Sequence, residues 1–175
     1  YADDISRMYN VETSVAIQHE VLPGVSVTGG WYNRQYFNLR RRTNVLRTFA
    51  DYNKFTVFSP LDGSPIDYYT VNASKLSAVS YVDENATDRT MKYNGFEYNF
   101  NMRLPRGISL FGGGMSERML ANVCDEQSDP NRLLYCDQSK SGLPFRTQFK
   151  IAGSVHLAYG INVGVSFQSL PGYLN

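Results

Sequence analysis

The sequence predicts an all-β protein, specifically an antiparallel, up-and-down transmembrane β-barrel segment that is part of a larger barrel. Two observations lead to this prediction. Apolar and polar residues alternate with a period of two in six stretches of about ten residues, longer than the five or six residues of an ordinary strand. Short turns also alternate with long connections along the chain, which is typical of outer-membrane barrels.

The composition favours strands and excludes several other classes of protein. The chain has 175 residues with 13 Tyr and 10 Phe, and aromatic residues are enriched in strands. Its 17 basic and 16 acidic residues leave a net charge of +1. The chain therefore lacks the strongly positive charge that is typical of nucleic-acid-binding proteins. No apolar run approaches the length of a transmembrane helix. Insertion into a membrane through strands remains open.

The six predicted strands each have one face without charge. They are Val11–Val21, Val25–Arg34, Asn94–Leu104, Gly107–Met115, Phe145–Leu157 and Ile161–Ser169. The opposite faces carry the charged residues of these strands, namely Glu12, Glu20, Arg34, Glu97, Arg103, Arg146 and Lys150. Soluble sandwiches and membrane barrels both alternate in this way, so alternation alone does not distinguish them.

The connections favour the barrel. The tight turns are Leu22–Gly24, Pro105–Arg106 and Ala158–Gly160, whereas connections 35–93 and 116–144 contain 59 and 29 residues. We expect short periplasmic turns and long extracellular loops, since a soluble sandwich rarely needs structureless loops of this length. Six strands are too few to close a membrane barrel, whose smallest size is about eight. The missing strands belong either to the same parent chain or to other chains that this one joins. We expect the first, so this C-terminal barrel portion belongs to a longer parent chain.

If the strands span a bilayer, one face of each strand contacts lipid and the other contacts the water-filled lumen. A charge facing lipid at mid-bilayer costs about 2–4 kcal/mol, so the uncharged faces are predicted to contact outer-membrane lipid. The predicted lumen-facing residues are Arg34, Glu97, Arg103, Arg146 and Lys150. Trp31, Tyr32 and Tyr36 come where a strand meets a long loop, as expected for aromatic residues of a membrane interface. The alternative is that Trp31 is a core residue of a soluble sandwich.

Cys124 and Cys136 are the only cysteines, and they are separated by eleven residues. The spacing matches no zinc motif, and a local disulfide in an oxidising compartment is the favoured interpretation. Closing so short a loop contributes roughly 3 kcal/mol of stability on the chain-entropy model. The alternative, two free buried thiols, fits poorly with the polar residues around both positions.

The first long loop contains the candidate ligand-binding residues Arg40, Arg41, Arg42, Arg47, Tyr68 and Tyr69. The arginine cluster is suited to an anionic ligand or to lipopolysaccharide phosphates, which guanidinium groups bind bidentately. Its alternative interpretation is a solvated loop held by salt bridges between loops. A short helix is predicted at Asn72–Ser80, where Asn72 can cap the first turn.

The sequence predicts no enzyme, cofactor or metal site. It contains no GxSxG, HExxH, GxGxxG or P-loop motif, and no calcium-binding loop. The two histidines, His19 and His156, lie near strand ends beside tight turns. The run Gly112–Gly114 lies within a predicted strand, where close packing or a bend is expected rather than phosphate binding.

Several strings together resemble the C-terminal barrel of TonB-dependent outer-membrane receptors, in the branch with a carboxypeptidase-regulatory-like N-terminal domain. They include Tyr9–Val15, Gln18–Val27, Asp51–Val57, Asn94–Glu97, Arg103–Gly107, Pro144–Lys150 and Phe167–Gly172. The resemblance implies a 22-stranded barrel with a plug domain, driven by the TonB complex, in the outer membrane of a Gram-negative-type bacterium. It says little about the ligand, and it gives no support to a ligand role for Arg40–Arg42.

The expected function is therefore uptake of a ligand that extracellular loops capture and that passes through the barrel when the plug is displaced. Two alternatives from other classes remain. One is a structural or adhesive outer-surface protein, and the other is a soluble secreted β-sandwich that binds a ligand.

Overall fold

The computed structural model describes residues 2–172, and these residues divide into two compact units. Unit 1 comprises the chain up to Asn10, Tyr36–Met91 and Leu120–Gly142. Unit 2 comprises Val11–Gln35, Lys92–Met119 and the chain from Leu143 onward. The described residues form strands and short 3-10 turns without an α-helix, so the all-β class is confirmed.

Residues 2–172 contain ten strands, numbered in chain order. They are β1 Tyr9–Leu22, β2 Val25–Phe37, β3 Arg40–Asn44, β4 Tyr52–Phe58, β5 Pro65–Val71, β6 Tyr81–Asn85, β7 Thr90–Leu104, β8 Ile108–Asn122, β9 Arg146–His156 and β10 Asn162–Ser169. Six of them form one antiparallel sheet in the order β1-β2-β7-β8-β9-β10. The sheet is open, with β1 and β10 at its edges, and two further sheets have two strands each.

The six strands of the large sheet are the six predicted from alternation. Most observed strands are longer than predicted at the ends that meet the long connections: β7 begins at Thr90, and β8 continues to Asn122. Backbone pairing does not require an apolar side chain at every second position, so pairing continues where the alternation stops. The long connections are correspondingly shorter than predicted.

The register places the predicted apolar faces on one side of the sheet. Ile151 of β9 lies opposite Gly112 of β8 and Phe167 of β10, and Val155 lies opposite Ile108 and Val163. Residues directly opposite each other in an antiparallel pair share a face. The uncharged rows of these three strands therefore form one continuous surface, called here the apolar face.

The apolar face is exposed. Val165 is 69% exposed and Phe167 is 59% exposed, and no large apolar side chain of unit 2 is buried among the described residues. Within the part of unit 2 that the structure describes, no second sheet packs on the rows of Val, Ile and Phe. Trp31 is half-buried, whereas the sandwich alternative requires it to be buried in a core.

Unit 1 contains the two small sheets, β3 with β6 and β4 with β5. The prediction of long connections overlooked these strands. The interior of unit 1 includes Leu39 and several polar side chains, Arg41, Thr43, Asn44, Glu126 and Ser128. The predicted disulfide between Cys124 and Cys136 is confirmed.

The predicted helix at Asn72–Ser80 is wrong in extent. The structure has a single 3-10 turn, Ala73–Lys75, whose N-cap Asn72 makes no side-chain capping bond. The backbone N–H groups of Lys75 and Ala78 bond to carbonyls three residues back, which is the 3-10 and not the α-helical pattern. The Arg47 guanidinium donates to the backbone carbonyls of Lys75 and Leu76, at 3.1 and 2.7 Å. No helix among residues 2–172 has both the length and the apolar character to cross a membrane.

Candidate functional site

The polar side of the large sheet in unit 2 forms a concavity of about 1320 Å³. Its polar lining comes from five of the six strands, β8 contributing glycines and apolar side chains, and includes Gln18, Glu20, Ser26, Thr28, Glu97, Asn99, Asn101, Arg103, Gln148, Lys150, Ser166 and Gln168. We call this surface the concave face. Its amide and hydroxyl groups can exchange hydrogen bonds with water or with a polar ligand, and apolar side chains such as Phe111 and Met115 lie among them.

Three predicted lumen residues, Glu97, Arg103 and Lys150, lie on the concave face. Glu97 accepts a hydrogen bond from the Asn99 amide at 2.9 Å. Neither Arg103 nor Lys150 has a carboxylate within ion-pair distance among residues 2–172. The concave face therefore presents two cations that have no acidic partner in the described chain.

The other two predicted lumen residues, Arg34 and Arg146, belong to a row of polar groups that crosses the sheet. Arg34 pairs with Glu12 on β1 and lies over the Tyr93 ring of β7, 5.7 Å from its centroid. Tyr93 lies near Glu117 of β8, whose partner in the register is Arg146 of β9. Alternating charges on neighbouring strands stabilise a sheet face.

Glycines make room for aromatic side chains in the large sheet. A Cβ at Gly114 would lie 2.5 Å from the Tyr98 hydroxyl, and Tyr98 extends across β8 to stack on Phe149 at 6.4 Å. A Cβ at Gly112 would lie 3.0 Å from the Phe100 ring. The glycine run thus permits close packing, as the sequence predicted.

The predicted interface aromatics lie on different sides of β2. Trp31 belongs to the same period-two row as Val25 and Val27, on the apolar side. Tyr32 and Tyr36 belong to the same row as Ser26 and Thr28, on the concave face. The Tyr32 ring lies over Gly30, 3.0 Å from the position of an added Cβ. Trp31 alone of the three therefore faces the apolar side.

The arginine cluster of unit 1 is largely engaged within that unit. Arg41 bonds Glu84 at 2.7 Å and the Asp125 carboxylate at 3.4 Å, and its side chain is 8% exposed. Arg42 pairs with Asp83 across the β3–β6 sheet at 2.7 Å. The Arg42 guanidinium holds the pKa of Asp83 below its ordinary value.

Arg40 and Arg47 differ from Arg41 in what their side chains contact. Arg47 donates to backbone carbonyls, as described above, whereas Arg40 is exposed. Salt bridges between segments of the connections therefore exist, as the alternative interpretation of this cluster supposed. Among these arginines, Arg41 is the one buried in the ion-pair network.

The disulfide-closed loop, residues 124–136, anchors the β4–β5 hairpin. The Asn131 side chain accepts from the Tyr69 N–H at 2.7 Å and donates to the Tyr69 carbonyl at 2.8 Å. Asp129 caps the turn Pro130–Leu133 by accepting from the Asn131 N–H. A side-chain amide that bonds both backbone groups of one residue mimics a neighbouring strand and blocks that edge of β5.

Burial governs the ionisable groups of this anchor. Burial raises the pKa of Tyr52, and the Asp129 carboxylate raises it further. Burial also pushes the pKa of Glu126 upward, but hydrogen bonds from the Ser128 backbone and hydroxyl and the charge of Arg132 outweigh it and hold the pKa below its ordinary value. Glu126 is thus a buried carboxylate that stays ionised near neutral pH.

The β4–β5 hairpin has two chemically different faces. Phe55 lies opposite Tyr68 and Val57 opposite Ile66, and the Phe55 and Tyr68 rings stack at 5.5 Å. These four side chains form what we call the hairpin apolar face, and each is 38–47% exposed. The other face carries the Lys54–Asp67 ion pair at 2.7 Å. The predicted ligand residue Tyr68 lies on the apolar face, whereas Tyr69 lies on the other.

Sequence reasoning missed the residues that complete these sites. They are Tyr93 and Glu117 of the cross-strand row, and Glu126 and Asn131 of the anchor, whereas Glu12 is predicted on a charged strand face without a site role. The string Asp129-Pro130-Asn131 carries a local signal, because Asp before Pro often starts a helical turn. The residues that the structure describes contain no group of three His, Cys, Asp or Glu side chains that could hold a metal ion.

Comparisons of the chain with known protein families, with curated proteins and with solved structures find no match.

Proposed function

We propose that this chain is part of the β-barrel of an outer-membrane receptor, of the TonB-dependent kind, that takes up a ligand captured by its long connections. One observation carries the proposal. The large sheet separates an exposed, uncharged apolar face from a concave face that carries its charged and amide side chains, and it buries no large apolar side chain among the described residues of unit 2. A soluble sheet of this length normally covers its apolar face with a second layer.

A bilayer accounts for this separation. Hydrocarbon covers the apolar face without any second sheet, and water or a polar ligand fills the concave face. The β7 and β8 strands have 15 residues each, which exceeds the 9–11 tilted residues that cross a bilayer. Their excess length extends beyond the membrane. The open edges β1 and β10 then pair with strands of the parent chain, because unpaired backbone groups in lipid cost several kcal/mol each.

Two arginine substitutions at neighbouring positions of β10 test the proposal. Val165 lies on the apolar face and Ser166 on the concave face, and both are exposed. Val165→Arg places a charge in lipid and is expected to destabilise the membrane-inserted state by about 2–4 kcal/mol. Ser166→Arg places the same charge in water and is expected to change stability by less than about 1 kcal/mol. Folding of the full parent chain into lipid vesicles, followed by urea titration, measures both, because β1 and β10 then have strands to pair with.

The outcomes separate the three classes of function. Equal tolerance of both substitutions, together with a wild-type chain that stays soluble without detergent, contradicts the membrane proposal and favours a soluble binding module. An asymmetric effect supports membrane insertion but does not separate a receptor from an adhesive scaffold. A plug domain encoded upstream in the full reading frame makes that distinction, because a scaffold has no need of one.

A further inference from the structure

We propose that the outer edge of β4 binds an extended, uncharged peptide, which adds to the β4–β5 hairpin as a third strand. This inference deepens the proposed function, since it names a class of ligand for the long connection. It depends on the proposed function only in treating that connection as the part of the chain that captures ligand.

The first step concerns hydrogen-bonding groups at the edges of the hairpin. Tyr69 directs its N–H and C=O away from β4, toward Asn131. In an antiparallel pair, opposite residues aim their backbone groups either at each other or both outward. Lys54 lies opposite Tyr69, so Lys54 and Thr56 aim their N–H and C=O groups outward from β4.

The second step is that this edge is open. The sheet has only the strands β4 and β5, and Asn131 occupies the outer edge of β5 at Tyr69. No backbone hydrogen bond within residues 2–172 joins another segment to Lys54 or Thr56. An open edge is a ready template for an added strand, and natural proteins use it to bind extended peptides.

The third step concerns the chemistry of the side chains that accompany this edge. The hairpin apolar face carries no charge, and the single ion pair on the other face, Lys54 with Asp67, neutralises itself. An added strand places alternate side chains beside Phe55 and Val57. An uncharged peptide with apolar residues at every second position therefore matches the face, whereas a charged peptide leaves its charges against an apolar surface without partners.

The fourth step is that the edge is preorganised. The disulfide closes residues 124–136, and Asn131 within that loop fixes the position of β5 at Tyr69. Binding to a hairpin that is already ordered avoids much of the entropy cost of ordering a loop. The anchor and the open edge are thus on opposite strands of the hairpin, so neither interferes with the other.

The experiment uses the whole chain in detergent micelles and a short fluorescent peptide that alternates valine with glutamine. Thr56→Pro removes the outward N–H without touching the hydrogen bonds between β4 and β5, and it is expected to weaken binding at least about tenfold. Thr56→Val is the matched control. It keeps the N–H but loses the hydroxyl bond to Asp67, and we expect binding within about twofold of wild type.

A second probe is the same peptide with N-methyl groups at alternate residues, which keeps the side chains but removes half of the backbone donors. We expect it to bind at least about tenfold more weakly. Amide protection at Phe55 and Val57 shows whether Thr56→Pro leaves the hairpin folded.

Four outcomes overturn the inference: no binding by the wild type, equal binding of both peptides, equal binding by Thr56→Pro with a folded hairpin, or self-association through β4 in place of peptide binding. The substitutions at Val165 and Ser166 test membrane insertion separately. The two proposals can therefore fail independently.

Discussion

The Arg41→Met substitution tests whether the arginine cluster is structural. Arg41 is 8% exposed, and it donates to Glu84 at 3.1 and 2.7 Å and to the Asp125 carbonyl at 2.9 Å. The Asp125 side chain is only 2% exposed. Removing one partner of a buried ion pair costs about 3–5 kcal/mol, because the remaining charge stays buried without compensation.

The expected loss lies at the lower end of that range, about 3 kcal/mol, for two reasons. Asp125 keeps Arg89 at 2.7 Å, and Glu84 is 35% exposed, so water can solvate it. The matched control is Arg42→Met. The Arg42 side chain is 63% exposed in its pair with Asp83, and exposed pairs contribute about 1 kcal/mol or less.

Native-state hydrogen exchange of the β3 and β6 amides measures the local free energy of opening in each variant. We expect Arg41→Met to lower it by about 3 kcal/mol and Arg42→Met by about 1 kcal/mol or less. Equal losses in the two variants refute the reasoning, since burial is the only feature used to distinguish the two arginines. Unchanged protection in both variants means that neither arginine contributes measurably to the stability of the β3–β6 sheet.

Three further predictions concern backbone packing, the disulfide and acid. Gly112→Ala brings a Cβ within 2.5 Å of a backbone oxygen and is expected to cost about 1–3 kcal/mol in urea unfolding, whereas Gly29→Ala, which meets nothing within 4 Å, should cost far less. Replacing Cys124 and Cys136 together by Ser is expected to lower the stability of unit 1 by roughly 3 kcal/mol, with protease resistance of the loop as the readout. The pKa of Asp83 lies below 3.8 because of its hydrogen bonds with a neighbouring arginine, so its stabilisation of the β3–β6 sheet is present above that pH and is lost as the pH falls further. Asp83→Asn should flatten this pH dependence in the amide exchange rates of the β3–β6 sheet, after correction for the intrinsic effect of pH on exchange. An unchanged slope argues against assigning the pH dependence to Asp83.

The large sheet could be predicted from the sequence because the pattern that marks its strands depends only on residues close together in the chain. Side chains two residues apart, as in Phe149, Ile151 and Gly153, mark one face of a strand whatever the strand pairs with. Gly and Pro also mark the turns locally, because Gly permits backbone angles that other residues avoid and Pro restricts them. The observed φ of 78° at Gly24 is one example.

The strands of unit 1 lack such a signal. The β3 segment, Arg40–Asn44, has no apolar alternation, and its pairing with β6 stabilises it through Arg42 with Asp83 and Arg41 with Glu84. In the segment after Asn72, where a helix was predicted, the carbonyls of Lys75 and Leu76 accept from the distant Arg47, a contact that local propensity does not encode. Local propensity is a weak guide where partners far along the chain decide the structure.

By itself, the sequence determined which residues alternate, where the tight turns fall and which two cysteines can close a short loop, because each of these depends on neighbours in the chain. Only the tertiary structure decided that Arg41 is buried while Arg42 is exposed. The partners of Arg41 lie 43 and 84 residues away. The cost of burying a guanidinium is offset only when such carboxylates converge on it, and no local pattern encodes that convergence.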